Sequence, residues 1–195
     1  MSDQALDKFE IAEHFGPYRF IGRAVYASPF GREAGKIYGG VWENSDWIFE
    51  ELDRLTEYAT DEVNHFAFMT WEKYDDKTQL MGYTVGRFMK AGTPVPEGMD
   101  YFDVAVSVVG KGWAGGEFRD VAHGMELSNA TDSLVKKAIE QQTVYRDASW
   151  KWYAEAYPEG FPNKAVPGED GRYYFGTYVN CLPKQMKKWY QRKRG

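Results

Sequence analysis

The chain has 195 residues, with 24 basic and 29 acidic side chains and a formal net charge of −5 at pH 7. This length fits a single domain whose core is large enough to fold without disulfide bonds. A net negative charge repels phosphate backbones and anionic membrane surfaces, which argues against nucleic acid or a membrane as the partner.

The first half of the sequence predicts a strand, a helix and two further strands. Residue types alternate over 18–26, as is typical of a strand. Apolar residues recur at three- and four-residue steps over 41–59, which predicts an amphipathic helix with an acidic outer face. Strands are predicted over 65–74 and 79–89, joined by a hairpin turn at the polar segment 75–78.

The second half repeats this order in a less regular form. Alternating apolar residues predict a strand over 99–110, after a Pro- and Gly-rich break. A second helix is predicted to begin at a capping residue within 128–131 and to continue through Ala156. The alternation of rings and small residues over 172–182 predicts a final strand.

Two copies of this order indicate an α+β fold, in which an antiparallel sheet carries two helices on one face and a ligand pocket on the other. We interpret residues 1–195 as a single domain built of two pseudo-repeats, at about 17–90 and 98–184. Residues 185–195 form a short basic C-terminal tail, for which we expect only the role of a solvated chain end.

The alternation within each strand assigns side chains to a helix-covered face or to an open face. Four residues are assigned to the helix side: Phe66, Phe68, Phe175 and Val179. This assignment places five others on the open side: Met69, Trp71, Tyr174, Tyr178 and Asn180. The open face would then carry rings with polar tips, which suits a ligand.

Aromatic residues are more numerous than a core of this size needs, with 12 Phe, 14 Tyr and 7 Trp. Surplus rings often line a concave apolar site for a planar or cationic ligand, although a ring-rich core is the alternative. The predicted wall residues are Trp71, Trp113, Trp152, Tyr153, Tyr174 and Tyr178, together with Met69 and Asn180.

Glu155 is the candidate polar group of this site. It lies three residues after Trp152, so the two share one face of the predicted helix and could point into one cavity. Burial beside rings would raise its pKa, and it could then act as a general acid or pair with a cationic ligand. The alternative is a solvated acid at a helix end. Glu117, beside Trp113, raises the same question.

No motif indicates a metal or a cofactor. The sequence 110–115 fits the dinucleotide pattern G-x-G-x-x-G, but it lies outside any βαβ unit. His14, His65 and His123 do not have the spacing of a zinc site. We therefore predict no cofactor and no metal.

Cys181 is the single cysteine, so no intramolecular disulfide can form, and a reducing cytoplasmic location is expected. The first residues lack the pattern of a secretory signal, and no apolar run is long enough for a membrane span. A homodimer is left open, since nothing in the sequence specifies an interface.

The order and spacing of several segments resemble the GyrI-like effector-binding domain family over roughly 17–184. The segments are 18–26, the helix with Trp42 and Trp47, 81–88 with 95–99, 112–114, 152–158 and 178–183. The resemblance implies a duplicated βαββ fold of the SHS2 type, with a pocket between the halves for lipophilic, often cationic, aromatic compounds. It implies a stand-alone member of a family in which some proteins bind drugs and others hydrolyse cyclopropane-bearing cytotoxins.

One departure from the family concerns its cation partner. Many members carry a buried Glu in an E-x-Y setting on the strand before the last, and the segment 162–172 contains no such motif. Either Glu155 or Glu117 would replace that Glu, or the ligand is not cationic.

The sequence therefore predicts sequestration or sensing of a lipophilic, aromatic or cationic small molecule. One alternative is a hydrolase of strained cyclopropane-bearing cytotoxins, in which Glu155 or Glu117 activates water. A second alternative is a protein-interaction module, such as an inhibitor.

Overall fold

The computed structural model describes residues 5–71, 80–123, 125–142, 144–146 and 152–183. In these ranges the strands are β1 Lys8–Phe15, β2 Tyr18–Ala27, β3 His65–Thr70, β4 Met81–Lys90, β5 Asp100–Val104, β6 Ser107–Gly116, β7 Val144–Arg146, β8 Trp152–Tyr157 and β9 Tyr173–Pro183. The helices are α1 Ala34–Glu43, α2 Asp46–Asp53, α3 Phe118–His123 and α4 Met125–Glu140, with a 3₁₀ helix at Thr56–Tyr58.

All described strands belong to one antiparallel sheet in the order β1-β6-β9-β8-β3-β4-β2-β5, with β7 paired to β9. The halves of the chain meet where β3 pairs with β8. Each outermost strand pairs with a strand from the other half of the chain. β1 pairs with β6 of the second half, and β5 pairs with β2 of the first half. The predicted α+β class with an antiparallel sheet is confirmed.

The helices cover the two ends of one sheet face. α1 packs on β2 and β4 and α2 on β4, whereas α3 and α4 pack on β6 and β9. The strands β3 and β8 run between these two groups of helices. The helical layer is therefore divided into two groups of helices, with the gap between them over the middle of the sheet.

The predicted helix over 128–156 is the largest error in the sequence analysis. α4 ends at Glu140, and the sequence WYAEAY forms β8, which pairs with β3 on one side and β9 on the other. Ala148, Trp152 and Ala156 recur at four-residue steps and so imitate a helix, but the segment also alternates with a period of two. Pairing with two neighbouring strands overrides the helix preference of alanine.

Other elements differ in their limits. The predicted helix 41–59 is two helices, and the first of them begins earlier than predicted, at Ala34. The helices separate at Ser45, whose hydroxyl donates to the Trp42 carbonyl (2.8 Å). The predicted strand 99–110 is interrupted between β5 and β6.

The strand β1 was not predicted. Two other predictions, the hairpin turn at 75–78 and the basic tail at 185–195, lie outside the described residues.

Each face of the sheet carries its own core. On the helical face, Met69, Tyr83 and Phe175 pack with Ile48 of α2 and Val121 of α3. The opposite face holds a ring cluster, whose buried aromatic members are Phe15, Phe20, Phe66, Phe68, Phe88, Trp152 and Tyr178. Part of the aromatic surplus therefore serves packing, with edge-to-face contacts such as that between Phe66 and Phe88 (centroids 4.9 Å).

The assignment of faces from the sequence was half right. Phe175 and Val179 lie on the helical side, as predicted. Phe66 and Phe68 lie on the opposite side, and Met69 therefore lies on the helical side. The first-half strands were assigned in the inverted orientation, because alternation defines which residues share a face but not which face the helices cover.

His65 on β3 is a buried polar residue of the helical face. Its Nε2 lies 3.0 Å from an Arg87 nitrogen that can only donate, so Nδ1 carries the proton and donates to the Phe161 carbonyl (3.0 Å). The ring also stacks on Phe49. Burial, together with the positive charge of Arg87, lowers the pKa of His65 to about 4.

We expect acid to destabilise the fold through His65. The pKa is 6.5 in the unfolded reference and about 4 in the fold, so stability from the neutral ring is complete above pH 6.5 and is lost as the pH falls towards 4. The loss is roughly 3 kcal/mol in the free energy of unfolding. Urea unfolding of wild type and His65→Gln at pH 7, 5.5 and 4.5 measures it. Equal pH dependence in the two proteins would contradict the assignment.

Candidate ligand-binding site

The partial exposure of three residues indicates a cleft on the helical face over β8. The helix-facing residues of this strand, Tyr153, Glu155 and Tyr157, are only partly buried, although β8 lies in the middle of the sheet. A central strand is closed to solvent when helices cover it. The partial exposure of these three residues therefore marks the gap between the two groups of helices.

Small neighbours leave room around Glu155. In the strand register, Glu155 lies opposite Ala67 of β3 on one side and Thr177 of β9 on the other. Larger residues lie two positions along the strands, where Tyr153 pairs with Met69. The carboxylate is thus flanked by short side chains across the sheet and by two tyrosines along its own strand.

The carboxylate of Glu155 is held by two hydroxyl groups. Ser128 of α4 donates to Oε1 (2.9 Å) and Tyr157 donates to Oε2 (2.9 Å). Burial raises the pKa of Glu155, the two hydrogen bonds oppose that rise, and the nearby negative charge of Asp132 adds to it. Glu155 is therefore an oriented carboxylate whose charge is poorly solvated, and its hydrogen bonds within the described residues are with hydroxyl groups.

Aromatic residues from several elements surround this carboxylate. Trp42 of α1 donates from its indole nitrogen to the Tyr83 hydroxyl (2.9 Å), and Tyr38 stacks on Tyr83 (centroids 4.5 Å). Tyr157 contacts Trp42 (4.8 Å) and stacks on Phe161 (4.6 Å). Burial and the charge of Glu155 raise the pKa of both Tyr83 and Tyr157, so their hydroxyls stay protonated.

Three predicted site residues occur on the helical face with Glu155. Tyr153 and Met69 are cross-strand neighbours, and Trp71, directly after β3, packs against the helix-side core. Burial first, and then the charge of Glu155, raises the pKa of Tyr153. The prediction that Glu155 accompanies rings therefore has a geometric basis, although the strand and not a helix provides it.

The other predicted wall residues lie on the opposite face. Trp113, Tyr174 and Tyr178 line a separate cavity there. Trp152 is 4% exposed and packs against Phe68 in the ring cluster. The amide of Asn180, also buried, donates to the Trp152 carbonyl (3.2 Å). The predicted residues are thus divided between two faces and do not form one pocket.

Glu117 does not share the environment of Glu155. It lies in the turn before α3, its side chain is exposed, and its backbone amide donates to Asp120 (3.2 Å). An exposed carboxylate at a helix start is typical of a solvated side chain near the positive end of the helix dipole. The structure therefore gives Glu117 an exposed position, in contrast to the partly buried, ring-flanked position of Glu155.

The E-x-Y motif is present at Glu155-Ala156-Tyr157. It lies on β8, which precedes β9, the last strand in the described part of the chain. The motif was expected in 162–172, because 152–157 was predicted to be part of a helix. As residues i and i+2 of a strand, Glu155 and Tyr157 point to the same face, which allows their hydrogen bond.

Sequence reasoning missed further residues of the cleft, among them Tyr38, Trp42, Tyr83, Ser128 and Tyr157. The alternation in WYAEAY was the one signal that could have identified Tyr157 as a partner of Glu155.

Within the described ranges, no group of three or more His, Cys, Asp or Glu side chains has a metal-binding arrangement. None of the helices there has the length and apolar character needed to span a bilayer.

The chain was compared with known proteins. No model of a protein family matches the sequence, and no curated protein is significantly similar to it. Solved structures do match. That of SAV2435 bound to tetraphenylphosphonium is 13% identical, with 90% of this chain and 94% of that chain covered and a TM-score of 0.58.

Two other solved structures share the fold. A protein from Staphylococcus aureus MU50 is 14% identical, with 89% of this chain and 96% of that chain covered and a TM-score of 0.52. An uncharacterized conserved protein from Listeria innocua is 12% identical, with 91% and 94% covered and a TM-score of 0.50. The chain therefore shares the fold of these three structures, and the fold expected from the resemblance is confirmed.

Proposed function

We propose that this protein binds a lipophilic organic cation in the cleft over β8, with Glu155 as the counter-ion. The observation that carries this proposal is a carboxylate fixed by Ser128 and Tyr157, partly open to solvent, with a raised pKa and rings around it. The structure with a similar fold that contains tetraphenylphosphonium supports the same class of ligand.

The chemistry of the cleft favours a cation over a neutral compound. Burial takes solvating water away from the Glu155 carboxylate, and a cation next to it would stabilise the charged form instead. The faces of Tyr153 and Tyr157 attract the same charge through their quadrupoles. Burial of the apolar part of the ligand contributes about 25 cal/mol per Å² removed from water, so most of the affinity comes from the rings and the orientation from the acid.

A second candidate function uses the same acid. The raised pKa of Glu155 favours a protonated carboxyl that could donate to a leaving group, with the Tyr157 hydroxyl beside it. Hydrolysis of a reactive small molecule would then follow binding in the same cleft.

Calorimetric titration with tetraphenylphosphonium, together with tryptophan fluorescence, tests the proposal. We expect saturable binding and quenching, because Trp42 and Trp71 belong to the core on this face. Mass spectrometry of the mixture over time, extended to cyclopropane-bearing alkylators, distinguishes the two candidates. Intact compounds indicate binding alone, whereas hydrated product formed by substoichiometric protein indicates a hydrolase. A folded protein that binds no aromatic cation and converts no alkylator would contradict both.

A further inference from the structure

The face opposite the helices holds a cavity of about 640 Å³. Rings and charged residues line it together, including Trp113, Tyr178, Lys8, Glu10 and Lys111. It is separated from the Glu155 cleft by the sheet itself, because Tyr178 and Thr177 are consecutive residues of β9 and point to opposite faces.

Positively charged groups of the protein already occupy the ring faces of this cavity. The ammonium of Lys8 lies 4.6 Å from the Trp113 ring centroid, and that of Lys111 lies 4.9 Å from Tyr178. Arg172 lies over Tyr174 at 5.5 Å. Each of these distances is within the range of a cation–π contact.

A carboxylate accompanies each of these cations. Lys8 pairs with Glu10 (3.6 Å), and Lys111 pairs with Glu62 and also with Glu10 (3.5 Å). Arg172 pairs with Asp7 (2.7 Å). The cavity thus repeats one arrangement, in which an aromatic face and a carboxylate together hold a positive group. Such an arrangement recognises ammonium compounds in general, because the ring attracts the charge and the apolar substituents at once.

The pairs differ in how firmly the protein's own cation is held. The side chain of Lys111 is 9% exposed and that of Glu62 is 11% exposed, so Lys111 is buried and Glu62 is largely shielded from solvent. The side chain of Lys8 is 63% exposed and that of Glu10 is 41% exposed. An exposed pair at this distance contributes little to stability, so Lys8 can leave Trp113 at small cost.

The orientation of Trp113 is fixed independently of Lys8. A Cβ atom on Gly176 would lie 2.7 Å from Cδ1 and Nε1 of Trp113, so the indole packs against the bare backbone of β9. Trp113 also meets the Tyr178 ring at 5.6 Å in an edge contact. The indole face over which Lys8 lies is therefore a prepared surface that remains when Lys8 moves away.

We propose that this cavity is a second binding site, for small organic ammonium compounds, and that Lys8 is its internal competitor. The ligand takes the place of the Lys8 ammonium over Trp113 and beside Glu10. This site is independent of the Glu155 cleft and of the function proposed for it.

The test uses the full chain carrying Glu155→Gln, so that binding in the helical cleft does not obscure the result. The probe is benzyltrimethylammonium, and the readout is the indole N–H nuclear magnetic resonance signal of Trp113, assigned by its loss in Trp113→Phe. In this background we expect saturable shifts with the probe and none with neopentylbenzene, its neutral isostere.

Adding Lys8→Met should tighten probe binding about threefold, and adding Glu10→Gln should weaken it about threefold, given the strength of exposed cation–π and ion-pair contacts. Lys36→Met is the matched control, because it removes the same charge from an exposed position on α1. Absence of a saturable Trp113 shift would overturn the proposal. So would unchanged affinity in Lys8→Met, or equal tightening in Lys36→Met.

Discussion

Replacing Glu155 with Gln is expected to weaken tetraphenylphosphonium binding at pH 7 by about 10- to 100-fold, which corresponds to the usual strength of a contact with a charged group. Gln keeps the shape of the side chain and one oxygen that accepts from Ser128 or Tyr157. It removes the charge and one of the two oxygens that accept from these hydroxyls. Calorimetric titration of the purified variant measures the change, and an unaltered thermal unfolding profile shows that the fold is retained.

Glu117→Gln is the matched control for this variant, because it makes the same chemical change at an exposed carboxylate. We expect its affinity to equal that of wild type. If the two variants lose the same affinity, the effect comes from net charge and the counter-ion role of Glu155 is wrong.

The pH dependence of binding provides a second readout of the same residue. The pKa of Glu155 is raised by burial above its usual 4.5, so the carboxylate gains charge as the pH rises through that higher value. Affinity for tetraphenylphosphonium, whose charge is permanent, should rise over the same interval and stay flat in Glu155→Gln. In the absence of ligand the sign for stability is opposite: the neutral carboxyl is favoured in the fold, and wild type loses stability relative to the variant as the pH rises.

Local sequence patterns were sufficient for the parts of the fold with a clear period. Alternation predicted β2 and β9, and the pairing of β3 with β4 followed from their adjacency in the chain. The segment 152–157 is different, because its alanines satisfy both a helical and a strand period. Pairing with two neighbouring strands makes this segment a strand, and one of these neighbours, β3, is more than 80 residues away in the chain.

The candidate site was harder to predict than the fold for a related reason. Sequence reasoning selected Glu155 from its ring-rich surroundings, but the residues that fix and surround it come from α1, α4 and β4. Ser128 is 27 positions from Glu155, and no local pattern marks it as a partner. Which side of the sheet is covered depends on how the halves pack, so the sequence grouped Trp113 and Tyr178 with Glu155, whereas they lie on the opposite face.

Replacing Lys111 with Met is expected to lower the free energy of unfolding by about 3 kcal/mol, since it leaves a buried carboxylate without its positive partner. Lys111 pairs with Glu62 and lies between the rings of Phe15 and Tyr178, each 4.9 Å from its ammonium. Glu62 also accepts from the Tyr178 hydroxyl (2.7 Å), so its charge is part of a buried network. Urea unfolding at pH 7 measures the change.

The double variant Lys111→Met with Glu62→Gln should recover most of this stability, because the uncompensated charge is gone and Gln can still accept from Tyr178. Lys8→Met is the matched control in the same cavity: its exposed pair with Glu10 predicts a loss below about 0.5 kcal/mol. A loss in Lys111→Met no larger than that in Lys8→Met would contradict the buried pair. The comparison of the two lysines also tests their different roles. Lys111 is expected to stabilise the fold through its shielded pair with Glu62, whereas Lys8 covers Trp113 and is expected to leave it at small cost.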